Sequence, residues 1–159
     1  MDNKIAIVPN SLNWADSGGG KTWSLCVKVK GLRAGLEQYK KENDWVDVDI
    51  GAAKTVLLLS RIGVKTSFCC DGIFAHHRFT LEFACFKDSL TPYISCDSEP
   101  FPNYVKKIFK RAAWEDTRIG SAFYMLDGNR KAFNDNSIRK RWRDLNNGLS
   151  EYIYNNCEA

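Results

Sequence analysis

Apolar residues recur along this chain with two different periods, and the places where the period changes mark the expected elements. Ile5 to Val8 is a short apolar run stopped by Pro9, which has no N–H for a ladder, so a brief strand is expected there. Asn10 to Lys21, with Gly18-Gly19-Gly20, reads as a loop. From Trp23 to Lys30, Trp23, Leu25, Val27 and Val29 alternate with Ser24, Cys26, Lys28 and Lys30, as in a half-buried strand with the first set inward. Leu25, Val29, Leu32 and Leu36 also fit a helical spacing.

Leu32 to Asn43 predicts a polar helix, and Trp45 to Asp49 a second alternating strand. Ala52 to Ile62 is a helix with Ala52, Val56, Leu59 and Ile62 on one face, Asp49 as candidate N-cap and Gly63 as C-cap. Val64 to Cys69, Arg78 to Phe86 and Pro92 to Cys96 read as three strands of an antiparallel meander. In the middle one Phe79, Leu81, Phe83 and Cys85 oppose Arg78, Thr80, Glu82 and Ala84. Pro102 to Trp114 is a helix with lysines on its outer face, Ser121 to Leu126 a strand, and Asp127-Gly128-Asn129 a turn. Asn136 or Ser137 caps the last helix, which repeats Ile138, Trp142, Leu145, Leu149 and Tyr152 or Ile153. Both element types occur without strict alternation and without an internal repeat. The expected class is α+β: one domain, 1–159, whose mainly antiparallel sheet is packed by three or four helices.

Composition adds limits. At 159 residues, 44% hydrophobic and 26% charged, the chain suits one soluble core and is no disordered or fibrous chain. Thr55 to Leu59, the longest apolar run, is far short of a membrane span, and Met1 to Ile5 lacks signal-peptide features. A cytoplasmic location is expected, with the six cysteines (Cys26, Cys69, Cys70, Cys85, Cys96, Cys157) as thiols or ligands and not a disulfide framework. Charge is segregated: residues 1–100 are neutral, whereas 104–143 hold 11 basic residues against 4 acidic ones. That excess can attract phosphates or an acidic protein, but the solvated basic faces of two amphipathic helices are the leading reading of it.

Three constellations carry candidate chemistry. Ala15 to Thr22 fits a relaxed phosphate-loop pattern with Lys21 as the phosphate-facing lysine and Phe123 to Asp127 as a possible metal-bearing strand. The alternation after Thr22 is wrong for the helix such a loop must open, and a flexible glycine loop is the simpler alternative. Cys69-Cys70-Asp71-Gly72, with His76-His77 and distant Cys96, offers zinc-type ligands or a thiol beside an imidazole base. Adjacent strand residues point to opposite faces, so only one of Cys69 and Cys70 can enter such a site, and buried cysteines packing as small hydrophobes are the leading reading. No metal or catalytic residue is therefore assigned, and no cofactor. Third, Arg139-Lys140-Arg141-Trp142-Arg143 sets four cations around an indole that falls on the core face. No helix-turn-helix, zinc-finger or RNA-binding signature accompanies it.

Leu57 to Gly72, followed by Pro92-Tyr93-Ile94, resembles a pattern in small uncharacterised phage and prophage proteins. In these, a helix leads through Gly, an aliphatic residue and Thr into a strand ending in Cys-x-Gly. The likeness covers residues 47–97. The same segment is more faintly similar to the Thr-Ser-Ser-Cys-Ser-Gly stretch of the wybutosine-synthesis methyltransferase family, which acts on transfer RNA with S-adenosylmethionine. The resemblance implies that the loop with Thr66, Cys70, Asp71 and Gly72 lies near a ligand.

Together these features lead to the expectation of a small binding protein. Its partner is anionic (a nucleotide, a nucleic acid or an acidic host protein), and its binding residues are Lys21, Thr66, Cys70, Asp71, Gly72, His76, Arg139, Arg141 and Arg143. A phage counter-defence or host-takeover factor is one use of such a protein. Two alternatives are a nucleotide- or RNA-modifying enzyme using the Thr66–Gly72 loop, and a structural or oligomer-forming protein built on its many aromatic residues.

Overall fold

A computed structural model describes residues 5–31, 45–96, 101–119, 121–126 and 134–156; for residues 68, 86–89, 116–119 and 121–126 it describes the backbone alone. The fold is α+β: two antiparallel sheets and three α-helices among the described residues. The predicted helix at Leu32–Asn43 and turn at Asp127–Asn129 lie outside them.

The first sheet is organised by β3 (Thr22–Lys30), which is paired on both edges. Along one edge lie β1 (Ala6–Ile7) and β2 (Asn13–Asp16); along the other lie β4 (Trp45–Asp49) and β6 (His77–Phe79). The register places Asp49 opposite Cys26 and His77 opposite Ser24. Side chains two apart on a strand share a face, and so do directly paired residues, so Ser24, Cys26, Asp49 and His77 all project to the same side where β4 and β6 meet end to end.

That face is the buried one at this end of β3. Ser24 and Cys26 are buried whereas Trp23 and Leu25 are only half-buried, the reverse of the expected inward set. Burial changes parity between Cys26 and Val29, where β2 gives way to β1 along the edge. The helical alternative for this segment is excluded by its pairing.

The second sheet runs β5 (Phe68–Cys70), β7 (Tyr93–Ser95), β9 (Ser121–Leu126), β8 (Trp114–Ile119). The expected meander does not form: β5 pairs directly with β7, and β6 joins the first sheet. The strand expected over Arg78–Phe86 ends at Phe79, where β3 runs out of partners at Thr22, and the chain turns into a 3-10 segment, Leu81–Ser89. Leu81 there is 97% exposed, so its alternation marks no buried face.

Helix α1 (Ile50–Arg61) buries Ala52, Ala53, Val56 and Leu59, and it ends as its sequence predicts. Val64 N–H donates to Leu59 O and Gly63 N–H to Ser60 O, the paired bonds of a Schellman cap. Helix α2 (Asn103–Arg111) is shorter than expected because Trp114 already belongs to β8. Helix α3 (Asp135–Asn156) buries Ile138, Trp142, Leu145, Leu149 and Ile153 against α1 and α2. Its cap is Asn134, whose Oδ1 accepts from Ser137 N–H, two residues before the expected Asn136.

One glycine holds the crossing between the sheets. Gly72 has φ +70°, and a Cβ there would sit 2.5 Å from Pro92 N. Gly72→Ala combines a left-handed conformation with a backbone clash, and we expect a loss of roughly 2–4 kcal/mol in urea denaturation. A loss below 0.5 kcal/mol would mean that the β5–β7 connection relaxes freely.

Candidate functional site

Helix α1 begins immediately after β4, so Asp49 stands at its N-terminus. Its carboxylate makes no capping bond to the helix. Instead Oδ2 accepts from Asp71 N–H at 3.0 Å, and Oδ1 lies 3.6 Å from Cys26 Sγ. The helix is capped from a distance by Asp71, which is fully buried: its Oδ2 accepts from Gly51 N–H at 3.0 Å and its Oδ1 from Ile73 N–H at 3.0 Å. Two buried carboxylates are tolerable here because both lie at the positive end of α1 and both accept backbone N–H bonds.

The chain after Asp71 is fixed from α3. Trp142 Nε1 donates to Asp71 O at 2.8 Å, while Asp135 accepts from Phe74 and Ala75 N–H at 2.8 and 3.1 Å. These bonds shape the 3-10 turn Phe74–His76 and send its two histidines in different directions. His76 turns outward over Asp71, Nδ1 to Oδ2 2.7 Å. His77 turns inward: Nδ1–H donates to Ile73 O at 2.7 Å, and Nε2 lies 3.3 Å from Asp49 Oδ2 and 3.8 Å from Cys70 Sγ.

Burial by itself would lower the His77 pKa, but hydrogen bonding to Asp49 and Cys70 outweighs it and lifts the group to about 11. Burial pushes the Cys70 thiol up, a rise that the His77 hydrogen bond only partly offsets. Burial, then the charge of Asp49, raises Cys26 and Cys69 as well. Neither of those two is a reactive thiol.

On the outer side of this cluster, α1, the 3-10 turn and α3 enclose a cleft of about 220 Å³. Lys54, His76, Arg139, Arg143, Asn146 and Asn147 line it around a floor of Gly51, Ile73 and Trp142. Arg139 and Arg143 are four residues apart and therefore on one face of α3. Asn146 Oδ1 accepts from Thr55 Oγ1, which leaves its NH2 as a donor. Among the described residues no carboxylate lines the cleft, and none pairs with Lys54, Arg139 or Arg143.

Of the residues singled out in the sequence, His76, Arg139 and Arg143 thus meet in one cleft, with Cys70 and Asp71 behind it. Arg141 points elsewhere: its Nη1 donates to Ala113 O at 3.1 Å and its carbonyl accepts from Trp114 Nε1, so it braces the corner between α2 and β8. Thr66 and Gly72 are buried, with Cys70 half-buried between them. Lys21 sits on the β2–β3 hairpin with its ammonium 4.9 Å from the Phe83 ring centroid. The glycine run beside it is a hairpin turn and no phosphate loop: Asp16 accepts from Gly18 N–H at 2.9 Å and Gly20 N–H at 2.7 Å, and β3 follows where a helix would be needed. Those bonds hold the Asp16 carboxyl below its usual range.

Lys54, Asn146 and Asn147 carry no sequence motif that singles them out, and Asp49 carries only that of a helix cap. The signal for Asp49 was available as the alternation Trp45-Val46-Asp47-Val48-Asp49, which puts it on the face of Asp47 but at the sheet's inner end. Cys96 and Cys69 pack in the core and do not join the cluster. Compared with protein-family models, curated proteins and solved structures, the chain matches none of them. Among the described residues no helix is long and apolar enough to cross a membrane.

Proposed function

We propose that the protein binds a phosphate-bearing ligand in the cleft between α1, the 3-10 turn and α3. The observation that carries this reading is a concave wall with three cations, an imidazole and two side-chain amides, and no carboxylate among its described lining residues. Exposed basic residues on a convex helix are ordinarily solvated, but cations converging on a hollow raise the local potential and present several donors to one anion. A volume of about 220 Å³ is below the roughly 300–1,000 Å³ of sites that engulf whole ligands. The cleft therefore takes the phosphorylated end of a nucleotide-like molecule and leaves the remainder on the surface. Arg139 and Arg143 supply paired N–H donors in fixed planes, Lys54 a point charge, and the Asn146 amide a neutral donor. His76 lines the same wall with its ring held in place by Asp71.

Calorimetric titration of the full chain with pyrophosphate and with adenosine monophosphate tests this. Charge-assisted hydrogen bonds contribute about 1.5–3 kcal/mol each, so Arg139→Glu with Arg143→Glu is expected to weaken binding at least about 100-fold. Arg141→Glu leaves affinity within about threefold, because that guanidinium faces Ala113. Equal losses from Arg141→Glu and from the double variant would replace the cleft by diffuse helix charge; no binding of either probe to the wild-type chain would overturn the reading.

A further inference from the structure

We propose that Asp49, Cys70 and His77 form a binding site for a single zinc-class divalent ion, with water as the fourth ligand. The three donor atoms, Asp49 Oδ2, Cys70 Sγ and His77 Nε2, come from three separate strands, β4, β5 and β6, and all lie within 4.8 Å of one another. Two of the three spacings match a zinc tetrahedron. Zinc bonds of about 2.0–2.3 Å at tetrahedral angles place ligand atoms roughly 3.3 Å apart for N and O and roughly 3.6 Å apart for S and N. Here His77 Nε2 stands 3.3 Å from Asp49 Oδ2 and 3.8 Å from Cys70 Sγ. A charge-assisted hydrogen bond between imidazole and carboxylate closes to about 2.7–2.9 Å, as the neighbouring His76–Asp71 pair does at 2.7 Å. Two adjacent histidines thus face two aspartates, His76 with Asp71 at 2.7 Å and His77 with Asp49 at 3.3 Å, the longer of which matches the N–O edge of a metal tetrahedron.

The surroundings fit the same role. His77 donates Nδ1–H to Ile73 O, the outer-shell bond that directs the opposite nitrogen's lone pair at a metal. Asp49 Oδ2 takes one bond from Asp71 N–H and keeps a lone pair, while its Oδ1 is engaged by Cys26. Asp71 stands behind the site with Oδ1 3.7 Å from His77 Nδ1. A thiolate, an imidazole and a carboxylate form a mixed set that suits zinc or cobalt(II) and not the hard cations magnesium and calcium. Binding replaces the proton on Cys70 Sγ and any proton on His77 Nε2, both released to solvent, without any redox step. The site stands independently of the anion cleft.

The test is metal analysis of the full chain purified without chelators, followed by cobalt(II) substitution. About one zinc per chain is expected, falling at least tenfold in Cys70→Ser and in His77→Gln, and unchanged in Cys85→Ser, whose side chain is exposed on the 3-10 segment. The cobalt form should show a near-ultraviolet thiolate charge-transfer band and strong visible bands of a tetrahedral ion, the former lost in Cys70→Ser. Should either variant fail to fold, the wild-type cobalt spectrum decides alone. A wild-type chain that takes up neither zinc nor cobalt, or that shows no thiolate band, overturns the proposal, as does full zinc occupancy in folded Cys70→Ser and His77→Gln.

Discussion

Asp71→Ala is expected to lower the unfolding free energy by about 3–5 kcal/mol, the range for removing one partner of a buried charged network. The carboxylate is completely buried and serves three donors: Gly51 N–H at the start of α1, Ile73 N–H, and His76 Nδ1. Truncation leaves the buried Ile73 N–H without its acceptor, at about 1–3 kcal/mol, and takes the acceptor of the half-buried Gly51 N–H as well. The space cannot close easily either, because Gly51 already approaches Asp71 so tightly that a Cβ on it would sit 2.7 Å from Oδ2. For a chain of this length the loss corresponds to a fall of roughly 6–20 °C in Tm. Asp71→Asn keeps one acceptor oxygen and should fall between wild type and Asp71→Ala. Thermal unfolding followed by circular dichroism measures both, and a change under 1 kcal/mol in Asp71→Ala would show that the hub carries no weight.

Trp142→Ala should be of similar size, about 3–5 kcal/mol, from the cavity that follows loss of a buried indole. Trp142 is 3% exposed and packs edge-on against Trp114 with ring centroids 4.7 Å apart. It also forms part of the cleft floor, and its Nε1 holds the Asp71 carbonyl. Trp142→Phe separates these roles: most of the packing survives, and the buried carbonyl loses its donor at about 1–3 kcal/mol. Urea denaturation of the pair resolves the two contributions. An Ala variant no less stable than the Phe variant would mean that the indole's bulk is not what holds α3 to the turn.

The contribution of Trp142 was legible in the sequence because α3 obeys the helical period throughout: Ile138, Trp142, Leu145 and Leu149 face inward as the spacing requires. The C-terminal end of α1 was legible for a related reason, since a glycine after an apolar helix is a local signal, whereas the aspartate before it marks the start of the helix without capping it. What the residues did not reveal depends on partners distant in sequence. Leu81, Phe83 and Cys85 alternate as a strand would, but no strand lies beside them beyond Phe79. Trp114 looked like the end of a helix because its burial against Trp142 is tertiary, and β8 was missed with it. Along β3 the buried face follows the apolar set only at Val29; at the other end Ser24 and Cys26 are buried instead, because they face the ends of β4 and β6.

The candidate site divides in the same way. Cys70 and the two histidines could be nominated from proximity in sequence, and Arg139 and Arg143 from charge density. That His77 selects Asp49, whereas His76 selects Asp71, follows from which strand each end of the 3-10 turn joins. Lys21 and Arg141 carry the right charge, yet one lies beside a self-capped hairpin and the other braces a corner. Residue type carries the chemistry; topology decides which groups stand together.

The most direct measurement of the central claim is an amide chemical-shift titration of the isotopically labelled full chain with pyrophosphate. Binding in the cleft predicts shifts concentrated at Gly51 to Lys54, Ile73 to His76 and Arg139 to Asn147, saturating together and abolished by Arg139→Glu with Arg143→Glu. Shifts centred on Gly18 to Thr22 at the β2–β3 hairpin, or spread evenly over every basic residue without saturation, would contradict it.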